Sequence, residues 1–392
     1  MSLIKVNEIQ SATGGGVTAK ISSVNGGQLA NRNMFVNGGM EVAQRLSFES
    51  SGKVVTSGTS YYGIDMFLLR VNDCSIRKTQ STDVPVGFCK SLKLEVTSAD
   101  TSLAAGVFNT IVGNIEGYDI VRTGFGATGA KTLTLSFFVK SNLTGTFTGS
   151  IGNSSNNRSY AFDYTISSAN TWERKTITFD GDTTGTWHKD NQLGLKVTWA
   201  LGVGSNFLTS TSTTWQGAEH MGTTNGQNVC GSTSNNFFLT GVQLEVGSIA
   251  TSFENRSFCD EYRRCCRYYQ KSRVYGQANQ EAAQSWNSPE SSLNQSKREQ
   301  HYDTQCFFPN GSMRTSPTVS FFGSSGTSNQ HRFEIPGIRN DLITRSPDFL
   351  TVRSDGFFCR LSLPSGTPDD NSYRSGSGNA FVRMTFDASA EF

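Results

Sequence analysis

Residues 237–270 read FFLTGVQLEVGSIATSFENRSFCDEYRRCCRYYQ, and two periodicities meet inside them. Phe238, Val242, Leu244 and Val246 alternate with Leu239, Gln243 and Glu245, the period of two that sets one face of a strand against a core. The alternation stops at Gly247. After the irregular SIATSFEN, Phe258, Tyr262, Cys265, Cys266 and Tyr269 fall at helical spacing, and Ser257 with Asp260 three residues on reads as a capping box. Arg263, Arg264, Arg267 and Lys271 occupy the later turns, where cations suit the helix dipole. A β region therefore ends here, a helix of about three turns follows, and a new unit begins behind it.

The same alternation recurs upstream. It runs through Leu92, Leu94 and Val96, through Leu133, Leu135, Phe137 and Val139, and through Tyr160, Phe162, Tyr164 and Ile166. Leu193, Leu195, Val197, Trp199 and Leu201 continue it. Turn signals separate these runs: Gly145, the NSSNN at 153–157, Asp180-Gly181-Asp182 and Asn225-Gly226. Many strands without an intervening amphipathic helix predict one jelly-roll β-sandwich over residues 31–254. Ahead of it, residues 1–30 hold two short apolar pieces around Gly14-Gly15-Gly16, too little to bury a core. They read either as a loose terminus or as a docking arm that orders against a neighbouring protein or further copies of the chain.

Behind the connector at 255–271, residues 272–392 open on a polar Gln/Asn/Ser-rich stretch. Alternation then returns at 318–321, 349–353 and 381–386, with Asp355-Gly356 as a hairpin signal. The last of these strands lies so close to the end of the sequence that neighbours must hold it. The predicted fold class is all-β: a short arm, a jelly-roll β-sandwich, a connector helix, and a second, smaller β-sandwich.

Composition agrees. The chain has 392 residues, 40 of them Gly and only 17% charged, as turn-rich sandwiches require. Its 34 basic and 32 acidic residues leave a net charge of +2, which gives no global field for nucleic acid or an anionic membrane. No apolar run reaches the roughly 20 residues that a bilayer-spanning helix needs, so membrane insertion is not expected. The opening MSLIKVNEIQSATGG lacks the basic start, apolar middle and cleavage site of a signal peptide, and export by the usual route is not expected. Eight cysteines are scattered without a C-x-x-C pair, so free thiols are expected rather than a disulfide framework or a zinc site.

The string TGVQLEVGSIATSFENRS at 240–257, followed by a short helix ending in CRYYQ, resembles a junction in tail-fibre and other virion structural proteins of tailed bacteriophages, marine ones in particular. The resemblance extends to NRNMFVNGGMEVAQR at 31–45, TLTLSFFVKS at 132–141, ANTWERKTITFDGDTTGTWHKDNQLGLKVTWAL at 169–201, MRTSPTVSF at 313–321 and MTFDASAEF at 384–392. It implies a sandwich of the carbohydrate-binding, galactose-binding-like jelly-roll type. It also implies a homotrimeric tail-fibre subunit located in the virion, assembled in the host cytoplasm and released by lysis. On that reading residues 1–30 attach to other tail or capsid proteins, and the β units face a host glycan or lipopolysaccharide. A head fibre, a capsid-decorating protein, a tail-nozzle component and a polysaccharide depolymerase are the alternatives.

Candidate site residues follow. Trp187 and Trp215 lie in polar, glycine-rich stretches and, with Tyr61 and Tyr62, could stack on sugar rings. Trp199 falls on the apolar face of its run and belongs to the core. Asn37-Gly38-Gly39-Met40-Glu41 resembles the start of carbohydrate-binding jelly rolls, where the acidic residue helps hold a structural calcium, which would make Glu41 a ligand. Those relatives also supply an aspartate from the final strand, and here Thr240 and Gly241 stand in its place. Arg263, Arg264 and Arg267 either bind an anion or pair within the scaffold. Asp180, Asp182, Glu219, Glu290 and Asp303 show no spacing that singles out a catalytic pair, so no enzyme and no other cofactor is predicted.

Overall fold

A computed structural model describes residues 31–46, 51–271, 291–292, 301–322, 330–335, 339–344, 349–362, 381–383 and 385–392. The predicted arm at 1–30 and most of the polar stretch after residue 271 lie outside them. Six strands form one antiparallel sheet, in the order β1 (Lys53–Val55), β4 (Ser75–Ser81), β5 (Ser91–Ser98), β15 (Asn236–Val246), β7 (Leu133–Ser141), β10 (Glu173–Phe179). Seven form a second antiparallel sheet: β13 (Trp215–Gln216), β9 (Ser159–Ile166), β8 (Gly145–Gly152), β11 (Leu193–Val203), β6 (Phe108–Glu116), β3 (Phe67–Val71), β2 (Thr59–Ile64). A small parallel bridge joins β12 (Leu208–Thr209) to β14 (Gly222–Thr223). The long-range order within each sheet is that of a jelly roll.

Inward-facing residues of both sheets fill one core. Trp199 stands at its centre, fully buried, with Phe137 edge-on at 5.7 Å and Phe67 at 6.4 Å. The strand β15 corrects one detail of the sequence reading. Alternation put Phe238 on the face of Val242, but the register against β7 slips between Thr240 and Gln243, and Gly241 takes a left-handed φ of 62°. One extra residue in a bulge inverts the phase. Phe237 and Leu239 therefore join Val242 and Leu244 in the core, while Phe238 turns outward beneath the ammonium of Lys140.

Residues 32–42 run beside this bulge and close the sandwich. Met34 donates its amide to Leu244 O at 2.9 Å, and Val242 donates to Gly38 O at 2.9 Å. Gly38 has no alternative: a Cβ there would sit 2.1 Å from Val242 O. Asn37, at φ 60°, spends its side chain on the loop, donating to Val42 O and Asp65 O and accepting from Val42 N. The NGG string is thus a tight-approach motif.

The connector helix α2 (Phe258–Cys266) forms as its cap predicts: Ser257 Oγ accepts from Asp260 N at 3.2 Å. Cys265 and Cys266 face inward, and Phe258 stacks on Tyr262 at 6.0 Å on the outside. Tyr269, read as helical, instead opens strand β16 (Tyr269–Lys271).

That strand starts the second, smaller β unit. β16, β25 (Thr385–Ser389) and β19 (Thr318–Phe322) form one sheet, with β25 in the middle, so the last strand is held on both sides. A second sheet runs β17 (Ser291–Ser292), β24 (Phe381–Arg383), β20 (Gln330–Ile335), β21 (Arg339–Thr344). The third runs β18 (His301–Phe307), β23 (Gly356–Ser362), β22 (Phe349–Arg353), and the predicted hairpin joins its last two strands. Phe308, Phe357 and Phe386 make a small aromatic core, the last two ring to ring at 5.1 Å.

Candidate functional site

The strand β6 ends at Glu116, and the chain turns at once through a single helical turn, α1 (Gly117–Ile120). Gly117 is required there. Its amide donates to Gln192 O at 2.8 Å, and a Cβ would lie 2.7 Å from the carbonyl oxygens of both His188 and Asp190. The next amide, of Tyr118, donates to Asp190 O at 2.9 Å. Main-chain bonding thus fixes the turn while pushing the Tyr118 side chain outward, 59% exposed.

Across from this turn lies the last part of α2. Between them opens a cleft of about 210 Å³ lined by Val36, Glu116, Tyr118, Asp119, Arg264, Arg267 and Tyr268. Its floor is a closed polar unit. Arg267 grips the buried Glu116 carboxylate with two hydrogen bonds, at 2.8 and 2.6 Å, and Tyr268 Oη donates to the same carboxylate at 2.7 Å. Its rim is open: Tyr118 and Arg264 are exposed, and Arg264 Nη2 donates to Asn31 Oδ1 at 3.3 Å. Burial and then the charge of Glu116 raise the Asp119 carboxyl above the usual range, while Arg122, Arg264 and Arg267 pull the other way. An aromatic face, a carboxylate acceptor and a guanidinium donor converge here, the combination that reads sugar hydroxyls beside a ring.

The sequence reading missed Tyr118 and Asp119. They follow β6, whose residues after Phe108 are all buried, and no alternation or motif in the sequence analysis pointed to that segment. The one usable signal was a tyrosine placed immediately after a strand-ending glycine.

The four aromatic candidates lie elsewhere. Trp187, expected in an open loop, is buried, with Phe125 edge-on at 4.9 Å and Trp215 at 5.5 Å, and its Nε1 donates to Thr184 O at 3.1 Å. The cause is local: Gly126 donates its amide to Asp182 O at 2.9 Å and lies so near Gly185 O that a Cβ would meet it at 2.9 Å. The loop is thereby folded back over the end of the core. Trp215 is half-buried in β13, packs on Tyr160, Phe179 and Phe125, and gives its Nε1 to Asp180 O at 2.8 Å. Tyr61 packs against the core. Tyr62 accepts from Asn114 Nδ2 and donates to Phe392 O, each at 2.9 Å. These rings serve packing or the contact between the two β units.

The Glu41 neighbourhood is a narrow opening of about 10 Å³ between the 33–41 segment and residues 253–261. Strand β15 does come alongside the NGG turn, with Thr240 Oγ1 2.8 Å from Lys90 O and 3.3 Å from Gly39 O, so a hydroxyl stands where the implied second carboxylate would be. The nearby acids already have a cation: Arg256 bridges Glu254 Oε2 at 3.0 Å and Glu261 Oε1 at 2.9 Å. Burial and then the charge of Glu261 raise the Glu41 carboxyl. Among the described residues no group of three or more His, Cys, Asp or Glu side chains could hold a metal ion. The residues present do not fit a calcium, which needs several carboxylate oxygens.

Of the three connector arginines, Arg267 is an ion-pair partner of Glu116, Arg264 borders the cleft and Arg263 is exposed. The acids weighed for catalysis have separate partners where they are described: Asp182 with Arg158 at 2.7 Å, Glu219 with Lys196 at 2.9 Å, and Asp180 with Thr132 Oγ1 at 2.9 Å.

No protein-family model matches the chain, and no curated protein matches it. Among solved structures it is similar to the enzymatically active domain of tailspike protein 4 of bacteriophage CBA120, at 16% identity and a TM-score of 0.27, over 55% of this chain and 21% of that one. It is also similar to TmCBM61 in complex with beta-1,4-galactotriose, at 10% identity and a TM-score of 0.27, over 55% of this chain and 99% of that one. A third is the family 11 carbohydrate-binding module from Clostridium thermocellum in complex with a mixed-linked tetrasaccharide, at 10% identity and a TM-score of 0.26, over 51% and 97%. The chain spans about a fifth of the tailspike domain's length. At these scores the likenesses carry no functional weight, and the jelly roll stands on its own strand order.

Proposed function

We propose that this chain is a non-catalytic structural protein of a tailed-phage virion, a tail-fibre subunit that recognises a host-surface glycan through the cleft beside Tyr118. The sequence strings that resemble virion proteins support the setting. The observation that carries the binding reading is the meeting of an exposed tyrosine, a half-buried carboxylate and an exposed guanidinium in one cleft over a charge-neutralised floor. At about 210 Å³ the cleft falls below the ~300–1,000 Å³ of sites that engulf a drug-sized ligand. It suits one or two sugar rings held weakly. Weak single sites become useful when copies act together, and a trimeric fibre would supply that avidity.

The test is binding of the purified protein to host lipopolysaccharide or capsule fragments. Tyr118→Ala is expected to weaken binding by roughly tenfold, in line with the ~0.5–1.5 kcal/mol of an aromatic contact, with no change in unfolding midpoint. Equal binding by wild type and Tyr118→Ala would remove the cleft from the proposal. Localising labelled copies to the head rather than the tail would favour a capsid-decorating role instead.

A further inference from the structure

Cys74 and Cys230 are 156 positions apart in sequence, yet their sulfurs meet at 3.2 Å as a thiol–thiol hydrogen bond, and both residues are buried. Each lies where the chain crosses between sheets. Cys74 immediately precedes β4, on the passage from β3 in the seven-stranded sheet into the six-stranded one. Cys230 lies in the 3-10 turn Val229–Gly231, on the passage into β15 of the six-stranded sheet. Both crossings are anchored. The amides of Asn72 and Asp73 donate to Asn109 Oδ1 at 2.9 and 3.4 Å, Asp100 donates to Cys230 O at 2.9 Å, and Asn235 Nδ2 donates to Val229 O at 2.9 Å.

We propose that Cys74 and Cys230 are a dithiol that oxidises to an intramolecular disulfide, stapling the two sheet crossings at this end of the sandwich. Closing the contact to a covalent bond requires the sulfurs to approach by only about 1 Å. With oxidised glutathione as the oxidant, one cysteine thiolate attacks a glutathione sulfur and expels a glutathione thiolate. The second cysteine loses its proton, attacks the protein sulfur of the mixed disulfide and expels the other glutathione. Two protein thiols are oxidised, and one glutathione disulfide is reduced to two thiols. The hydrogen bond with Cys74, together with burial, raises the Cys230 thiol well above its ordinary range, so thiolate is scarce and closure is slow. The pair stays reduced in a thiol-rich compartment and closes in an oxidising one.

The experiment compares full-length Cys89→Ser/Cys259→Ser protein, which lacks the two exposed thiols among the described residues, after native incubation with oxidised glutathione or with a phosphine reductant. Peptide mapping of the oxidised sample is expected to give a Cys74–Cys230 cross-linked peptide 2 Da lighter than its reduced parts. Its unfolding midpoint should exceed that of the reduced sample by on the order of 5–10 °C, from the loop-closure effect on a long loop. Cys74→Ala should abolish both changes. Cys74 and Cys230 both recovered as free thiols after prolonged native oxidation would overturn the proposal, as would cross-linking of either one to a different cysteine. The redox comparison of the Cys89→Ser/Cys259→Ser protein stands whether or not Cys74→Ala folds.

Discussion

The contact between the sandwich and the second β unit predicts a large, pH-dependent effect of Arg45→Met. Arg45 is bonded to Glu391 at 2.6 Å and lies 3.5 Å over the ring of Tyr269. The Glu391 side chain is only 5% exposed, and burial raises its carboxyl while Arg45 holds it down. Methionine keeps the stem and removes the charge, leaving this carboxylate with the Ser389 hydroxyl as a donor at 3.4 Å. The carboxylate then takes up a proton. From an ordinary value of 4.5, doing so at pH 7 costs up to about 1.36 × 2.5, or ~3.4 kcal/mol, and at pH 5 only ~0.7 kcal/mol. Ala390 reports the result, because its amide donates to Tyr268 O at 2.7 Å and is released when this end of the chain opens. Its hydrogen-exchange protection should fall by up to roughly 300-fold at pH 7 and about threefold at pH 5. These figures are ceilings. Lys78, pulled down to about 7 by burial, with Arg45's charge adding to that, would hold its proton more firmly in the variant and shield Glu391. Glu391→Gln placed on Arg45→Met should restore most of the protection. A loss that is the same at both pH values, or smaller than about fivefold at pH 7, would refute the reasoning that Arg45 keeps a buried carboxylate charged.

Two further outcomes follow from neighbouring groups. Asp65 is fully buried, accepts from Gln44 N at 3.0 Å and Gln44 Nε2 at 2.7 Å, and is pushed up to about 7 by burial. Its protonated form is favoured on folding, so its contribution is complete below about pH 4 and is lost as the pH rises to 7. Asp65→Asn should therefore stabilise the protein by about 1–3 kcal/mol at pH 8 and by little at pH 4, read as the difference between urea midpoints, and a larger gain at pH 4 would contradict the assignment. Trp187→Ala should cost about 3–5 kcal/mol as a core truncation, while protein that remains folded keeps its glycan affinity. A selective loss of affinity with an unchanged midpoint would return Trp187 to the binding site.

Much of this fold was legible in the sequence, and the reasons differ by element. Strand periodicity located β5, β7, β9 and β11 because each sends alternate apolar residues into the core, and the Ser257–Asp260 cap marked the start of α2 through a purely local bond. The phase of β15 was misread because a bulge at Gly241 needs two more facts, the partner strand and a left-handed φ, and alternation supplies neither. The aromatic candidates failed for a related reason. Polar, glycine-rich surroundings signal a loop, but Gly126 and Gly185 use their freedom to press that loop onto Phe125, and so Trp187 is covered. The NGG turn lies alongside β15, through Gly38 O and Gly39 O, and Glu41 borders the opening beside it. Its implied calcium does not follow, because Arg256 already neutralises the acids around it.

The junction that fixed the domain order also forms a wall of the candidate site, and the two roles share side chains. Arg267 must pair with Glu116 for the cleft to hold a sugar, since an unpaired Glu116 carboxylate would repel Asp119 and drive it toward its protonated form. Tyr268 contributes to that pairing through its hydroxyl, and through its carbonyl it receives the amide of Ala390 in the second β unit. The side chain of Arg314 continues the link, donating to Ala390 O at 2.9 Å, and its carbonyl accepts from Asn191 Nδ2 at 3.0 Å. Asn191 lies one residue from Asp190, whose carbonyl oxygen holds the amide of Tyr118. A ring of hydrogen bonds thus runs from the floor of the cleft through the second unit and back to its aromatic rim. Loosening the second unit should therefore blur the cleft before it unfolds the sandwich, because one wall of the cleft is the junction that the second unit braces, whereas the buried core, Cys265 and Tyr268 apart, lies within residues 34–244.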